Sequence, residues 1–419
     1  MLKDYQFLIP VVQKRQKERP TETTGNMFPL LWLVCVVAIK VFKKTAPNGK
    51  LTVYLGKRDF GDYGDSVEPV EGVVIVDSDY LKDRKVYGQV VTTFRYGREE
   101  DEVMGLQFSR QLYLALDQIY PTNQTPEKSQ LQDKLVRKLG DSAIPFTFDL
   151  PENAPPSVTL QPGTDDQGSP LGVEYELKLF VADSKEEKPH RRNSVSMAIR
   201  KLQYYQPGPL TRQPSTVVSK GFVLSPGKLQ LEVTLDKEYY FHGDKIAVQM
   251  VVTNHSKKTI RNIKVTVIQN TEVTMVNGHY HKAVASIDSK EGCPIIPGAT
   301  LTKVFYLLPS SDNNKNKRGI ALDGMLKEGD TNLASSTLNT SDALGIVISY
   351  MVRVRLYMGA IGGELVADVP FKLTSPTPEK QKEVSNMQKR VKKQLSREMS
   401  ADLVFEDFAR RRQFSEDNE

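Results

Sequence analysis

The sequence predicts an all-β protein of two antiparallel sandwiches. Most of the chain reads as short runs of alternating apolar and polar residues separated by turn residues, the period-2 pattern of half-buried strands. Its 419 residues exceed what one hydrophobic core usually organises, so two domains or more are expected. A proline- and glycine-rich break from Gln206-Pro207-Gly208-Pro209 to Pro214 has strand-like segments on both sides and reads as the linker between the sandwiches.

Taken in order, the chain first offers an apolar stretch from Met27 to Ile39, which follows the basic Lys14-Arg15-Gln16-Lys17-Glu18-Arg19. It is too short for a membrane-spanning helix, which needs about 20 residues, but it matches the apolar region of a signal peptide. Strand segments follow at Gly72-Val73-Val74-Ile75-Val76 and from Val173 to Phe180. One helix stands out: Thr125-Pro126-Glu127 supplies a cap, Leu131, Leu135 and Leu139 recur at four-residue spacing, and Gly140 ends it. It is amphipathic and should lie against a sheet. Strands resume at Gly227-Lys228-Leu229-Gln230-Leu231 and from Asn262 to Ile268. After Ser375-Pro376-Thr377-Pro378 the chain becomes highly charged until the run Leu403-Val404-Phe405-Glu406-Asp407-Phe408, the pattern of a flexible tail that ends in a docking segment.

Between two of these strands lies an unusual segment. Arg98 to Glu102 are five consecutive charges, which cannot be buried unpaired, so Asp101 and Glu102 belong to a surface loop and carry Val103, Met104, Gly105 and Leu106 outward with them. An exposed apolar cluster on a charged loop suits docking into a partner's pocket. The alternative is an ordinary β-hairpin with a solvated acidic tip.

The net charge of +6 is modest, but the basic residues cluster, which favours phosphate or acidic headgroups as partners. No helical basic stripe, zinc-finger spacing or aromatic-basic strand motif points to nucleic acid. Cys35 and Cys293 are the only cysteines, which argues against a disulfide framework and fits a reducing cytosol. Of the five histidines only His279 and His281 are close, and no Cys, Asp or Glu is spaced to complete a metal site with them. Neither a nucleophile elbow nor a phosphate-cradling loop occurs. No catalytic activity and no cofactor are expected.

Several strings resemble the arrestin family in its order: Val41-Phe42-Lys43-Lys44 with Pro47-Asn48-Gly49-Lys50, Tyr54 to Phe60, the charged loop above, Arg192-Asn193-Ser194-Val195, Ala321-Leu322-Asp323-Gly324, and Asp330 to Ser336. The resemblance covers about residues 36–419. It implies residues 1–35 as a disordered or artefactual extension outside the family, 36–205 as the amino-terminal domain, 206–215 as the hinge, 216–375 as the carboxy-terminal domain and 376–419 as a regulatory tail. It also implies that the loop of Asp101 to Leu106 is the finger that enters an activated seven-helix receptor.

The same resemblance implies a polar core between the domains that holds the inactive state, with Asp59, Asp323 and Asp330 as its acids and Arg410 of the tail as a base. Here the chain departs from the pattern, because Ser196 follows Asn193-Ser194-Val195 where the family carries an arginine. Three acids would then face one base, unless Arg200, on the same strand face two alternations further along, substitutes. Lys40, Lys43, Lys44, Arg58, Lys138 and Lys327 match positions aimed at a phosphorylated receptor tail, where several cations can neutralise clustered phosphates. Lys188, Arg191 and Arg192 resemble an inositol-phosphate site.

In the tail, Phe405, Phe408 and Arg412 resemble the segment that binds the clathrin adaptor. Before release, Phe408 is expected to pack on Val41, Phe42, Leu131 and Leu135. A clathrin box is absent between Thr377 and Ser400, which tilts the resemblance toward invertebrate visual arrestins, or phosrestins. The implied function is that of a cytoplasmic adaptor, recruited to the membrane, that binds an activated G-protein-coupled receptor such as rhodopsin. The alternative is a general endocytic scaffold of the non-visual type.

Overall fold

The computed structural model describes residues 5–12, 36–97, 108–122, 127–166, 168–205, 212–223, 225–326, 331–338, 345–359 and 362–378. The first half contains β1 (Tyr5–Val12), β2 (Val36–Thr45), β3 (Leu51–Leu55), β4 (Asp59–Asp62), β5 (Val70–Val76), α1 (Ser78–Leu81), β6 (Lys85–Arg95), β7 (Ser109–Tyr120), α2 (Gln130–Leu139), β8 (Ala143–Phe148), β9 (Val158–Leu160), β10 (Gly172–Ala182) and β11 (Ser194–Gln203). The second half contains β12 (Ser215–Phe222), β13 (Ser225–Leu235), β14 (Tyr239–Phe241), β15 (Ile246–Asn254), β16 (Asn262–Val273), β17 (Gly278–Ser289), β18 (Thr300–Leu307), β19 (Ala321–Leu322), β20 (Ile346–Tyr357) and β21 (Glu364–Thr374).

Four sheets form two sandwiches, as the alternating patterns predict. The first pairs a five-stranded sheet, β1-β2-β3-β5-β8, with a seven-stranded one in which β10 is flanked by β9 and β11 on one edge and by the β6–β7 hairpin on the other. The second pairs β12-β13-β15-β18 with β14-β21-β20-β16-β17. Inward phases fill the cores: Leu51, Val53 and Leu55 on β3, Val195, Met197 and Ile199 on β11, and Val352, Val354 and Leu356 on β20 are all buried. The short β19 comes from the second half of the chain yet pairs with β9 in the first sandwich, Ala321 opposite Leu160 and Leu322 opposite Thr159.

Two expectations need correction. The helix starts at Gln130, and its cap is Ser129, not Thr125: the Ser129 hydroxyl accepts from the Gln132 amide at 3.3 Å and Gln132 Oε1 accepts from the Ser129 amide at 2.9 Å. This reciprocal pair satisfies two end donors at once, so it outcompetes a cap four residues upstream. Secondly, residues 5–12, expected to be disordered, form the edge strand β1, antiparallel to β2 from Tyr5 opposite Lys43 to Val12 opposite Val36. Their Tyr5-Gln6-Phe7-Leu8-Ile9 run has strand propensity, β2 offers an open edge, and Pro10 is tolerated on an edge strand.

Helix α2 covers the outer face of the five-stranded sheet, as its amphipathic spacing predicts. Leu135 is buried with Val41, Val73 and Ala143, and Leu131, Val136 and Leu139 pack around them. Gly56 makes room for Leu131, whose Cδ2 would lie 2.3 Å from an added Cβ. No helix among the described residues is long and apolar enough to cross a membrane.

Candidate functional site

The parallel pairing of β11 with β4 sets Arg200 directly opposite Asp59. The guanidinium grips both carboxylate oxygens, Nε to Oδ1 at 2.6 Å and Nη2 to Oδ2 at 2.8 Å, and Nη1 donates to the Gly324 carbonyl at 3.2 Å. A bidentate fork of this kind combines charge with fixed geometry. Gly324 allows the approach: its φ is +53°, and a Cβ there would lie 2.9 Å from Ser157 and 3.1 Å from Arg200 Cδ. Thus one strand pair of the first sandwich and a loop from the second half of the chain meet at one guanidinium.

Asp323, next to that glycine, is held by neutral donors. It accepts from the Ser335 amide at 2.6 Å, the Ser335 hydroxyl at 2.8 Å and the Ser375 hydroxyl at 3.2 Å, and His242 Nε2 lies 3.5 Å away. Asp59, Arg200 and Asp323 line a cavity of about 350 Å³, together with Leu202, Tyr204, Asp312, Thr331 and Ser375. Burial, reinforced by the nearby Asp59 charge, pushes the Tyr204 phenol well above its ordinary value. Three carboxylates border the cavity against one described cation, so it suits a further positive side chain. Asp330 and Arg410 lie outside the described residues.

Ser196 does not itself reach this network, and Arg200 takes the place beside Asp59. Ser196 sits opposite Lys178 on β10, four residues from Arg200, about 13 Å along an extended strand, and it does not line the cavity. The arginine that reaches Asp59 is Arg200, so the described core keeps its domain-borne base. Both residues share a strand face, as alternation requires, and only the register with β4 distinguishes them.

The neighbouring Lys201 escaped sequence reading. It points to the opposite face and is fully buried, with Nζ 2.8 Å from Asp62 Oδ2 and donating to the Ala154 carbonyl at 2.6 Å and the Glu152 carbonyl at 3.2 Å. A signal existed: in Val195, Met197, Ile199, Lys201 the lysine takes the core phase, which demands a buried counter-charge.

Other site residues divide. Lys43 lies over the Tyr54 ring at 5.8 Å, Lys44 is half-buried and Lys138 is exposed at the end of α2. The Lys40 side chain and Lys327 lie outside the described residues. Arg58, expected among the phosphate-binding cations, is only 7% exposed: its Nε donates to the Ala198 carbonyl at 2.8 Å and its guanidinium lies over the Phe42 ring. That places it inside the fold as a brace between β2 and β11. The apolar docking patch is divided likewise. Val41 and Leu135 are already buried against each other, and Phe42, on the other face of β2, packs on the main core, so no continuous patch of the four remains. Phe405, Phe408 and Arg412 lie outside the described residues. Lys188, Arg191 and Arg192 are exposed in the turn before β11.

The loop of Asp101 to Leu106 also lies outside the described residues, but its base is firmly built. The Tyr96 amide donates to the Phe108 carbonyl at 2.9 Å, the two rings meet edge to face at 6.0 Å, and Phe94 lies 5.7 Å from Tyr96. The hairpin therefore presents the segment from a rigid aromatic stem.

Comparison with known proteins agrees with this geometry. Residues 51–205 match the family model of the arrestin (or S-antigen) N-terminal domain and residues 225–378 that of the C-terminal domain. The chain is 72% identical over 400 residues to "Arrestin, lateral eye" of Limulus polyphemus, covering 94% of this chain and all of that protein. It is 56% identical to an arrestin homolog of Locusta migratoria over 404 residues, covering 92% of this chain and 99% of that protein. It is 54% identical to phosrestin-1 of Drosophila melanogaster over 392 residues, covering 90% and 98%. Two domain matches and near-complete relatives lead to one conclusion: the chain belongs to the arrestin family.

Proposed function

We propose that this protein is a visual-type adaptor that binds an activated G-protein-coupled receptor, rhodopsin, blocks coupling to its G protein and desensitises the signal. The observation that carries the reading is the 72% identity to a lateral-eye arrestin over the whole length of that protein. The Arg200–Asp59 pair at the domain junction supports it, since a latch that competing anions can reach suits a protein that changes state on binding. The family is one of adaptors, and the polar cavity at the junction is read as a latch and not as a catalytic pocket. The phosrestin relatives disfavour the general endocytic scaffold.

On this reading the protein works in the cytoplasm and is recruited to the photoreceptor membrane. Asp101 to Leu106 supply the receptor anchor, and Lys43, Lys44 and Lys138 meet receptor phosphates. Phe405, Phe408 and Arg412 serve the clathrin adaptor after tail release, and Lys188, Arg191 and Arg192 take inositol phosphates or phosphoinositides. Co-sedimentation with light-activated and dark rhodopsin membranes tests the central claim: binding confined to the illuminated sample is expected, and equal binding to both would refute it.

A further inference from the structure

The exposed turn before β11 delivers its bases directly ahead of a hydroxyl. In Arg191-Arg192-Asn193-Ser194-Val195, two arginines stand three and two residues before Ser194 and an apolar residue follows it. Among the described residues neither guanidinium has a carboxylate partner, and the turn itself is set by the Asn193 amide donating to the His190 carbonyl at 2.9 Å. Protein kinases that select basic substrates hold such arginines on carboxylates of their peptide groove, and charge-assisted forks give that selection its strength.

The position of Ser194 in the sheet decides whether its hydroxyl is a core group or a surface one. Val195, Met197 and Ile199 take the core phase of β11, so Ser194 lies on the outer face with Ser196 and Arg200. It sits opposite Phe180, which stacks on Tyr87 at 5.8 Å in a small outer-face cluster with Ala182 and Leu116. That cluster leaves Ser194 only 7% exposed. Yet Ser194 is the first residue of its strand, and among the described residues the strand pairs up to Ile199 with β10 alone, because β4 joins at Arg200. A strand start held by one ladder and fed by an exposed turn belongs to the low-stability end of a fold, where local opening is frequent.

We propose that Ser194 is a phosphorylation site for an arginine-directed protein kinase. The Ser194 Oγ attacks the γ-phosphorus of ATP, the bond from that phosphorus to the bridging oxygen breaks, ADP leaves, and the hydroxyl proton passes to the kinase's catalytic carboxylate. The product dianion is too polar to return beneath the Phe180 ring, and cations are at hand to receive it. Lys178 is the diagonal cross-strand neighbour of Ser194 on the same face, and Arg191 and Arg192 precede it in the chain. Lys178 now lies 3.7 Å from Glu176, so the phosphate competes with that carboxylate for it.

The test uses the full-length protein, the catalytic subunit of cAMP-dependent protein kinase and magnesium ATP, with intact mass and fragment mapping as readouts. One phosphoryl group per chain on Ser194 is expected, absent in Ser194→Ala and present in Ser196→Ala. Arg191→Ala and Arg192→Ala should each slow the reaction about tenfold, the loss of one charge-assisted fork. Phe180→Ala should speed it by uncovering the hydroxyl. Phosphate on another residue at the same rate in Ser194→Ala would overturn the assignment. Modification of a peptide spanning residues 188–198 while the native chain stays unmodified would overturn it as well.

Discussion

Arg200 and Asp59 face each other across a parallel strand pair, joined by two hydrogen bonds of 2.6 and 2.8 Å, and a third from the same guanidinium, at 3.2 Å, ties that pair to the Gly324 loop of the second half. The guanidinium is nearly buried while the Asp59 carboxyl stays 41% exposed, so an incoming anion can reach the pair from solvent.

Replacing the arginine leaves Asp59 and the Gly324 carbonyl without their donor. Because Asp59 keeps much of its water, Arg200→Ala should cost only about 1–3 kcal/mol of stability. Its larger effect should be on switching: binding to active, unphosphorylated receptor rises severalfold while Ser196→Arg changes little. A dependence on receptor phosphorylation that Ser196→Arg alters and Arg200→Ala does not would contradict the geometry.

The Lys201–Asp62 pair should behave in the opposite way. Both partners are withdrawn from solvent, so Lys201→Met strands a buried carboxylate and should cost about 3–5 kcal/mol in urea unfolding. Lys201→Met combined with Asp62→Leu removes both charges and should recover much of that loss, because an apolar pair needs no counter-charge. An additive double variant would show that the two residues do not act together.

If the loop of Asp101 to Leu106 is the receptor anchor proposed above, Met104→Asp with Leu106→Asp should abolish co-sedimentation with active receptor at an unchanged melting temperature. Burial of that tip contributes a few kcal/mol at ~25 cal/mol per Å². Phe94, Tyr96 and Phe108 pack ring against ring at the base of the hairpin, so folding should be indifferent to the change.

Glu174 supplies a pH signature. Desolvation raises its carboxyl above the ordinary value, with Arg95 opposing, where it lines a cavity of about 250 Å³ with Met325 and Leu326. The unfolded chain therefore releases this proton first, and stability falls as pH climbs from the ordinary carboxylate value to the raised one, then stays level. Urea midpoints between about pH 4 and about pH 7 should show a shallower decline in Glu174→Gln, part of the side chain being solvated. Parallel curves for the two proteins would exclude the effect.

Much of this architecture is legible in the chain. Alternation locates β5, β10, β13 and β16, and the leucine spacing locates α2, because both rest on local periodicity. The acids Asp59 and Asp323 follow from family strings. What escapes depends on register: Ser196 and Arg200 share a face, and nothing local says which one β4 will meet. Val41, Phe42, Leu131 and Leu135 look like one patch until the strand sends its two residues to opposite sides. The Ser129 cap loses to Thr125 on paper because Pro126 is the louder signal, although the serine has its glutamine partner three residues on.

The two residues of β19 have a mechanical consequence. Ala321 belongs to the first sandwich through Leu160, yet the side-chain amide of Gln269 on β16 holds both its amide and its carbonyl, at 2.8 and 2.9 Å. The same peptide is thus riveted to both bodies at once. Any twist of one body against the other must shear one set of rivets or carry the peptide along. Small twists are therefore resisted at this residue, and the joint is a braced one and not a free bearing.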